Sequence, residues 1–122
     1  MRENLDIIVF SVDIVFTNIM RRIFENYASQ YHSEYLASFS EAHNIPVKNP
    51  TKLVVVNDVI LGSSSFELIS FLRLDRKLNC PIYHFDAADY QNEQKSLLIG
   101  ASRFFRKPFK LDEVESIIKK TL

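Results

Sequence analysis

The residue that says most about chemistry in this chain is Asn57, which follows the apolar run Leu53 to Val56. Such a run is typical of a strand buried in a parallel sheet. We therefore expect Asn57 at the carboxyl edge of the sheet, where ligands gather in open α/β folds. An aspartate there could accept a phosphoryl group through its carboxylate, whereas the amide of Asn57 has no anionic oxygen to act as a nucleophile. Ordinary aspartyl phosphorylation is not expected at this position.

The composition is that of one globular domain. The 122 residues are 47% hydrophobic and 25% charged, and 15 basic residues balance 15 acidic ones. Such a length gives one core, so we predict a single domain over residues 1–122. Balanced charge gives no reason to expect nucleic acid or a membrane surface as a partner. No apolar segment has the length of a membrane span or the features of a signal peptide, so we expect a cytoplasmic protein.

Strand-like and helix-like patterns alternate along the chain. Strands are predicted at residues 5–11, 34–39, 53–57, 81–85 and 102–105. Helices are predicted at residues 14–27, 40–48, 64–78, 89–99 and 111–121, the second being short or irregular because of Pro46. Ser63 or Ser64 is the expected N-cap of the third helix. This alternation predicts the α/β class, with a doubly wound parallel sheet of five strands.

Three segments in order resemble the receiver domains of bacterial response regulators. They are Asn57 to Leu68, Pro81 to Ala87 and Gly100 to Phe109. The last is the most specific, because it contains a Gly-Ala turn and a Lys-Pro-Phe sequence. The resemblance covers nearly the whole chain. It implies a CheY-like fold with the strand order 2-1-3-4-5.

The chain departs from the family at the metal-binding positions. The family ends its first strand with two acidic residues that hold Mg²⁺, and this chain has Ser11 and Val12 there, followed by Asp13. The acceptor aspartate corresponds to Asn57. A hard divalent cation needs several oxygen ligands, above all charged ones. The resemblance therefore implies a pseudo-receiver with neither metal nor cofactor, although a shift of one residue would align Val12 and Asp13 with the acidic pair.

The switch positions of the family are altered as well. Asp86 replaces its threonine or serine and Phe104 its aromatic residue, while the basic residue remains as Lys107. We predict an ion pair between Lys107 and Asp86, aided by the side-chain oxygen of Asn57; the alternative is that both charges are solvated. Asp58 is expected to point away from Asn57 as a loop or cap carboxylate, and the alternative is that it serves as a displaced phosphoacceptor.

The three histidines are not spaced like metal ligands. His32, His43 and His84 show no i, i+3 or i+4 relation to one another, so a zinc motif is absent. His84 alternates with Tyr83 and Phe85 in an apolar strand. We expect it to be packed or hydrogen-bonded.

A basic and aromatic segment near the C-terminus is the expected interaction face, because arginine beside aromatic residues is typical of binding hot spots. The resemblance implies that this face meets partners or a second copy of the chain. Phe104 is expected to be partly exposed, and Phe105 and Phe109 to belong to the core. The predicted face comprises Arg103, Phe104, Arg106 and Lys110.

These observations favour a non-enzymatic pseudo-receiver that acts as a signalling or protein-interaction adaptor in a two-component-type pathway. Its partners would be proteins, and a homodimer stays open. One alternative is a degenerate but active phosphorelay regulator that uses Asp13, Asp58 or Asp86. Another is a small flavodoxin-like enzyme with Asp86 and Lys107 as an acid–base couple.

Overall fold

A computed structural model describes residues 6–45, 51–87 and 89–122. Within these residues, five parallel strands form one sheet with the order β2-β1-β3-β4-β5. The predicted fold class and strand order are confirmed. The strands are β1 (Ile7–Phe10), β2 (Ser33–Leu36), β3 (Leu53–Asn57), β4 (Ile82–Ala87) and β5 (Arg103–Lys107).

Four α-helices and one 3₁₀ helix connect the strands in the described residues. They are α1 (Ile14–Glu25), the 3₁₀ helix (Phe39–Asn44), α2 (Ser65–Leu74), α3 (Tyr90–Leu98) and α4 (Leu111–Thr121). The predicted second helix is thus a 3₁₀ helix, and its last residues, 46–48, lie outside the described residues, as does residue 5 of the predicted first strand. None of the described helices has both the length and the apolar character needed to cross a bilayer.

Helix α2 ends four residues earlier than predicted, because the backbone turns after Leu74. Asp75 and Arg76 both donate their N–H groups to Phe71 O, at 2.9 and 3.0 Å. Lys77 then adopts a left-handed conformation with φ of 55°, which ends a helix. The apolar residue Leu78 had suggested a longer helix, and it packs at the edge of the core instead.

The central strands are buried on both faces, as their continuous apolar sequence requires. All residues of β1 and β3 are 0% exposed. Side chains alternate between two clusters. The α2–α3 face carries Ile8, Phe10, Val54, Val56 and Ile82, and the α1–α4 face carries Ile7, Val9, Leu53, Val55 and Phe85.

Side-chain caps fix the loops at the carboxyl edge. Asp13 Oδ1 accepts a hydrogen bond from Phe16 N at 3.1 Å at the start of α1. Ser64 Oγ accepts one from Glu67 N at 3.1 Å at the start of α2, which confirms one of the two predicted caps. Each cap satisfies an amide that the helix leaves without a partner.

Arg73 joins the end of α2 to the loops that precede β4 and β5, at the amino ends of these strands. Its Nη1 donates to Leu78 O and Cys80 O at 2.7 Å each, and its Nε donates to Gly100 O at 2.8 Å. Gly100 has a φ of +120°, and a Cβ at this position would lie 2.6 Å from Arg73 Cγ. The glycine therefore provides both the backbone conformation and the space that the guanidinium needs.

We predict that Gly100→Ala destabilises the fold more than Gly62→Ala. Gly62 also has a positive φ, of +90°, but the nearest atom to its Cβ position is 3.6 Å away. Backbone strain should lower the free energy of unfolding of both variants by about 1–3 kcal/mol. In Gly100→Ala the collision with Arg73 should lower it by about 1–3 kcal/mol more. Urea denaturation measures both losses. Equal losses would show that Arg73 moves aside freely.

Candidate functional site

Asn57 and Ser11 lie side by side at the carboxyl edge of the sheet. The β1–β3 register pairs Phe10 with Val56, so the next residue of each strand is also adjacent. Asn57 is 0% exposed, and its Nδ2 donates to Ser11 Oγ at 2.9 Å. Asn57 Oδ1 is buried without a hydrogen-bond partner among the described residues. A neutral hydrogen bond thus joins the ends of β1 and β3 at this edge.

The residues at this edge do not fit Mg²⁺. Val12 contributes no oxygen from its side chain, and its N–H donates to Val59 O at 3.1 Å. The carboxylate of Asp13, one residue later, caps α1, and Asp13 N donates to Ser11 Oγ at 3.0 Å. No group of three or more His, Cys, Asp or Glu residues within the described residues is arranged to hold a metal ion. The one side-chain hydrogen bond that the structure gives Asn57 is to the neutral hydroxyl of Ser11, which is a weak ligand for a hard divalent cation.

Lys107 forms its ion pair with Asp58, at 2.7 Å between Nζ and Oδ1. The predicted pair with Asp86 is therefore wrong. The two side chains in contact are 25% and 27% exposed, so the ion pair is partly open to solvent. Asp58 is the predicted loop carboxylate, but it reaches Lys107 on the α1–α4 side, so the prediction that it points away from Asn57 is wrong.

The alternation of side chains explains why Asp86 is not the partner. Lys107 projects from the α1–α4 face, where its Nζ lies 5.2 Å from the ring centre of Phe16. Asp86 projects from the opposite face and is paired in register with Arg106. Asp58 lies in the loop after β3, where the alternation no longer applies, and so its carboxylate reaches Lys107.

Asp86 is 9% exposed. Its Oδ1 accepts a hydrogen bond from Ala87 N at 2.7 Å, and its Oδ2 lies 3.8 Å from His84 Nε2. Burial raises the pKa of the Asp86 carboxyl, while the hydrogen bond from Ala87 opposes this rise. Asp86 thus lies beside His84, whereas Lys107 pairs with Asp58.

His84 is the centre of a buried polar cluster on the α2–α3 face. It is 0% exposed, and its Nδ1 and Nε2 lie 2.8 Å from Ser96 Oγ and Ser65 Oγ, respectively. Desolvation lowers the pKa of His84 to about 4. The ring is therefore neutral near pH 7, with one nitrogen donating and the other accepting. The prediction of a hydrogen-bonded histidine is confirmed.

The two serine partners were missed from the sequence. Ser65 is the first residue of α2, directly after the N-cap, and Ser96 lies within α3 among polar residues. A signal was present nonetheless: a histidine on the buried face of a strand needs polar partners. Local patterns do not tell which helices supply them.

Two aromatic rings pack edge-on against His84. Phe66 has its ring centre at 5.0 Å and Phe104 at 5.4 Å. Lys95 Nζ lies 4.6 Å from the ring centre of Phe66. Asp86 and Phe104, which the resemblance predicted at the switch positions, therefore both adjoin His84, and neither is the partner of Lys107.

The other histidines belong to separate surroundings. His32 Nε2 lies 3.0 Å from Glu34 Oε1. The ring of His43 packs against Phe39 and Phe71, at 5.7 and 4.6 Å between ring centres. Neither contributes to the carboxyl edge around Asn57.

The predicted interaction face lies along one groove of about 640 Å³ between α3, β5 and α4. Arg106 Nη2 donates to Glu93 Oε1 at 2.7 Å across this groove. Phe104 is partly exposed, as predicted. Phe105 and Phe109 pack against the core but also line the groove. The four residues of the face, Arg103, Phe104, Arg106 and Lys110, thus share one surface.

We predict that His84 makes the fold sensitive to acid. Its folded pKa, about 4, is below the ordinary value of 6.5, so the unfolded chain takes up the proton first as the pH falls. The contribution of neutral His84 to the free energy of unfolding is complete above pH 6.5 and is lost towards pH 4. It amounts to about 3 kcal/mol in all. His84→Gln removes this titration, and urea denaturation from pH 7 to pH 4 should show wild type losing about 3 kcal/mol more than the variant. Parallel losses would contradict the prediction.

The Lys107–Asp58 pair should contribute little to stability, because both side chains are partly exposed. We predict a coupling free energy of about 0.5–1 kcal/mol from a double-mutant cycle with Lys107→Met and Asp58→Asn. The cycle for Arg106 and Glu93, whose side chains are 56% and 29% exposed, is the matched control and should give a smaller value. A coupling of zero for Lys107 and Asp58 would show that the contact does not persist in solution.

No protein-family model matches this sequence, and no curated protein sequence matches it. Solved structures do match. The chain is similar to chemotaxis response regulator CheY4 of Vibrio cholerae, with 16% identity, 98% of this chain and 99% of that chain covered, and a TM-score of 0.79. It is also similar to a two-component response regulator from Clostridium difficile, with 16% identity, coverage of 96% and 94%, and a TM-score of 0.81.

A third similar structure is the receiver domain of Francisella response regulator 1452, with 20% identity, coverage of 97% and 96%, and a TM-score of 0.75. Matches of this extent at such low identity show the fold and not the activity. The chain has the fold of CheY-like response-regulator receiver domains.

Proposed function

We propose that this chain is a pseudo-receiver that works without phosphorylation, as a protein-interaction adaptor in a cytoplasmic two-component-type pathway. One observation carries the proposal: the acceptor position is a buried asparagine, Asn57, whose amide is engaged by Ser11. An amide offers neither the negative charge nor the nucleophilic oxygen of a carboxylate.

The pairing of Lys107 supports this proposal. Its ammonium already contacts the carboxylate of Asp58 at 2.7 Å. A phosphoryl group would have to displace the carboxylate of Asp58 from this contact. That carboxylate is always present, because it belongs to the same chain. The internal carboxylate thus supplies permanently the kind of contact that a phosphoryl group would supply only transiently.

The groove along β5 is the proposed site for protein partners. It combines exposed arginine and lysine side chains with partly exposed phenylalanine rings, a composition suited to protein binding. The balanced charge of the chain favours a protein over nucleic acid.

A catalytic role for Asp86 and Lys107 is disfavoured. An acid–base couple needs two groups that reach the same substrate atoms. These side chains project from opposite faces of the sheet, with Lys107 near Phe16 and Asp86 near His84. We therefore propose a binding function rather than an enzymatic one.

The contact of Lys107 with Asp58 also favours one alternative, in which Asp58 is a displaced phosphoacceptor. A neighbouring ammonium would stabilise the charge of a phosphoryl group on Asp58. Against it, the nearby carboxylates are not placed to bind Mg²⁺. Asp13 caps a helix, and Asp86 lies on the other face of the sheet.

We predict that the wild-type chain takes up no phosphoryl group from acetyl phosphate in the presence of Mg²⁺. Mass spectrometry and Phos-tag gels measure the modification, with a phosphorylatable response regulator as positive control. Asn57→Asp combined with Val12→Asp places carboxylates at the positions that the resemblance equates with the acceptor and the metal-binding pair, and should give a detectable acyl phosphate.

The variant Asp58→Asn distinguishes a phosphorylation-independent domain from one in which Asp58 is a displaced phosphoacceptor. Modification of the wild type that disappears in this variant would establish the displaced acceptor. Stoichiometric modification that persists in it would place the phosphoryl group elsewhere. Either result would overturn the proposal of a phosphorylation-independent domain.

A further inference from the structure

We propose that two copies of this chain form a twofold dimer through the carboxyl edge of the sheet, on the side of β1 and β2. We define this surface, the β1–β2 edge, as the exposed side chains of Ile14, Val15, Val59 and Leu61 together with the cleft beside them. The strands β3 and β4 separate it from the groove along β5.

The four aliphatic side chains of the β1–β2 edge are open to solvent. They are between 53% and 76% exposed, although they lie in or beside loops that the backbone ties together. The loop before α1 is joined to the loop before α2, because Val12 N donates to Val59 O at 3.1 Å. Apolar patches of this kind are uncommon on monomers and mark interaction sites.

Leu61 is held beside a cleft. Its N–H donates to Ala37 O at 2.9 Å, and its carbonyl accepts a hydrogen bond from Phe39 N at 2.8 Å. The cleft lies between the start of α1 and the end of β2 and has a volume of about 350 Å³; its lining includes Val12, Ile14 and Ala37. The fixed backbone of Leu61 thus sets an exposed side chain next to an apolar socket.

This arrangement suits a second copy of the same chain. A twofold interface uses the same surface on both subunits, so a protruding side chain and a socket side by side can be exchanged twice. The exposed aliphatic side chains would form the apolar centre that stable interfaces have, and the polar Thr17 and Asn18 of the cleft would belong to its rim. A standard interface needs about 800 Å² from each partner, which the patch and the cleft supply together.

Most charges near the β1–β2 edge are matched within the chain. Asp58 pairs with Lys107. The carboxylate of Glu41 accepts hydrogen bonds from Ala37 N at 3.2 Å and from Ser38 Oγ at 3.0 Å. These groups therefore do not oppose the approach of a second copy.

The two charges that remain have opposite signs. Asp13 and Arg21 are exposed, and neither forms an ion pair in the described part of the chain. The guanidinium of Arg21 lies 4.0 Å from the ring centre of Tyr35 and lines one end of the cleft. A dimer can place Asp13 of each copy near Arg21 of the other, and such complementary charge favours self-association.

Sedimentation velocity over a series of concentrations tests the dimer with the whole chain. We expect a concentration-dependent equilibrium between the chain and a species of twice its mass. A monomer at every concentration up to the submillimolar range would overturn the inference.

Matched leucine variants then locate the interface. Leu61→Glu should raise the dissociation constant of the dimer at least about tenfold, which corresponds to about 1.4 kcal/mol. Leu98→Glu makes the same change at an exposed leucine of α3 and should leave the dissociation constant unchanged. Circular dichroism checks that the variants are folded. Equal effects of the two variants would overturn the inference, as would a dimer that only Leu97→Glu, in the groove along β5, disrupts.

Charge reversal on α1 gives an independent readout. Arg21→Glu removes the cation of the cleft and should also weaken the dimer. Arg22→Glu makes the same change at the next residue, which is exposed and does not line the cleft, so it should have a smaller effect. A larger effect of Arg22→Glu would contradict the proposed surface. Phosphoryl uptake from acetyl phosphate is a separate measurement, so the dimer and the adaptor function can fail independently.

Discussion

The alternation of side chains along parallel strands is the constraint on which the site depends. Successive residues of a strand face opposite sides of the sheet. Two sets of polar residues at the same edge are therefore kept apart by a layer of backbone. Ser11, Asn57 and Lys107 belong to the α1–α4 side, and His84 and Asp86 to the α2–α3 side.

The polar groups of each set are satisfied next to the core in a different way. On the α1–α4 side, a neutral hydrogen bond joins Asn57 to Ser11, and the ammonium of Lys107 is matched by the loop carboxylate of Asp58. On the other side, a neutral imidazole bonds to two buried hydroxyl groups from α2 and α3. Neither arrangement needs a metal ion or a phosphoryl group to balance its charge.

This separation bears on how the chain could signal. His84 touches Phe104, which lines the groove along β5, and Ser96 ties the same histidine to α3. The buried hydrogen bond between His84 and Ser96 therefore holds α3 against β4, directly beneath the groove. Under the proposed adaptor function, control would come from the partner rather than from modification of this chain.

The sequence by itself determined the fold and the chemistry of single positions, because hydrophobic period, cap residues and side-chain functional groups are local properties. It predicted the sheet, the limits of β3, an N-cap at Ser63 or Ser64 and a packed or hydrogen-bonded His84, and it leads to the expectation that Asn57 is not a nucleophile. Only the tertiary structure decided which residues meet: Asp58 with Lys107, and Ser65 and Ser96 with His84. Those contacts depend on the path of a loop and on the packing of two helices, which no short stretch of sequence encodes.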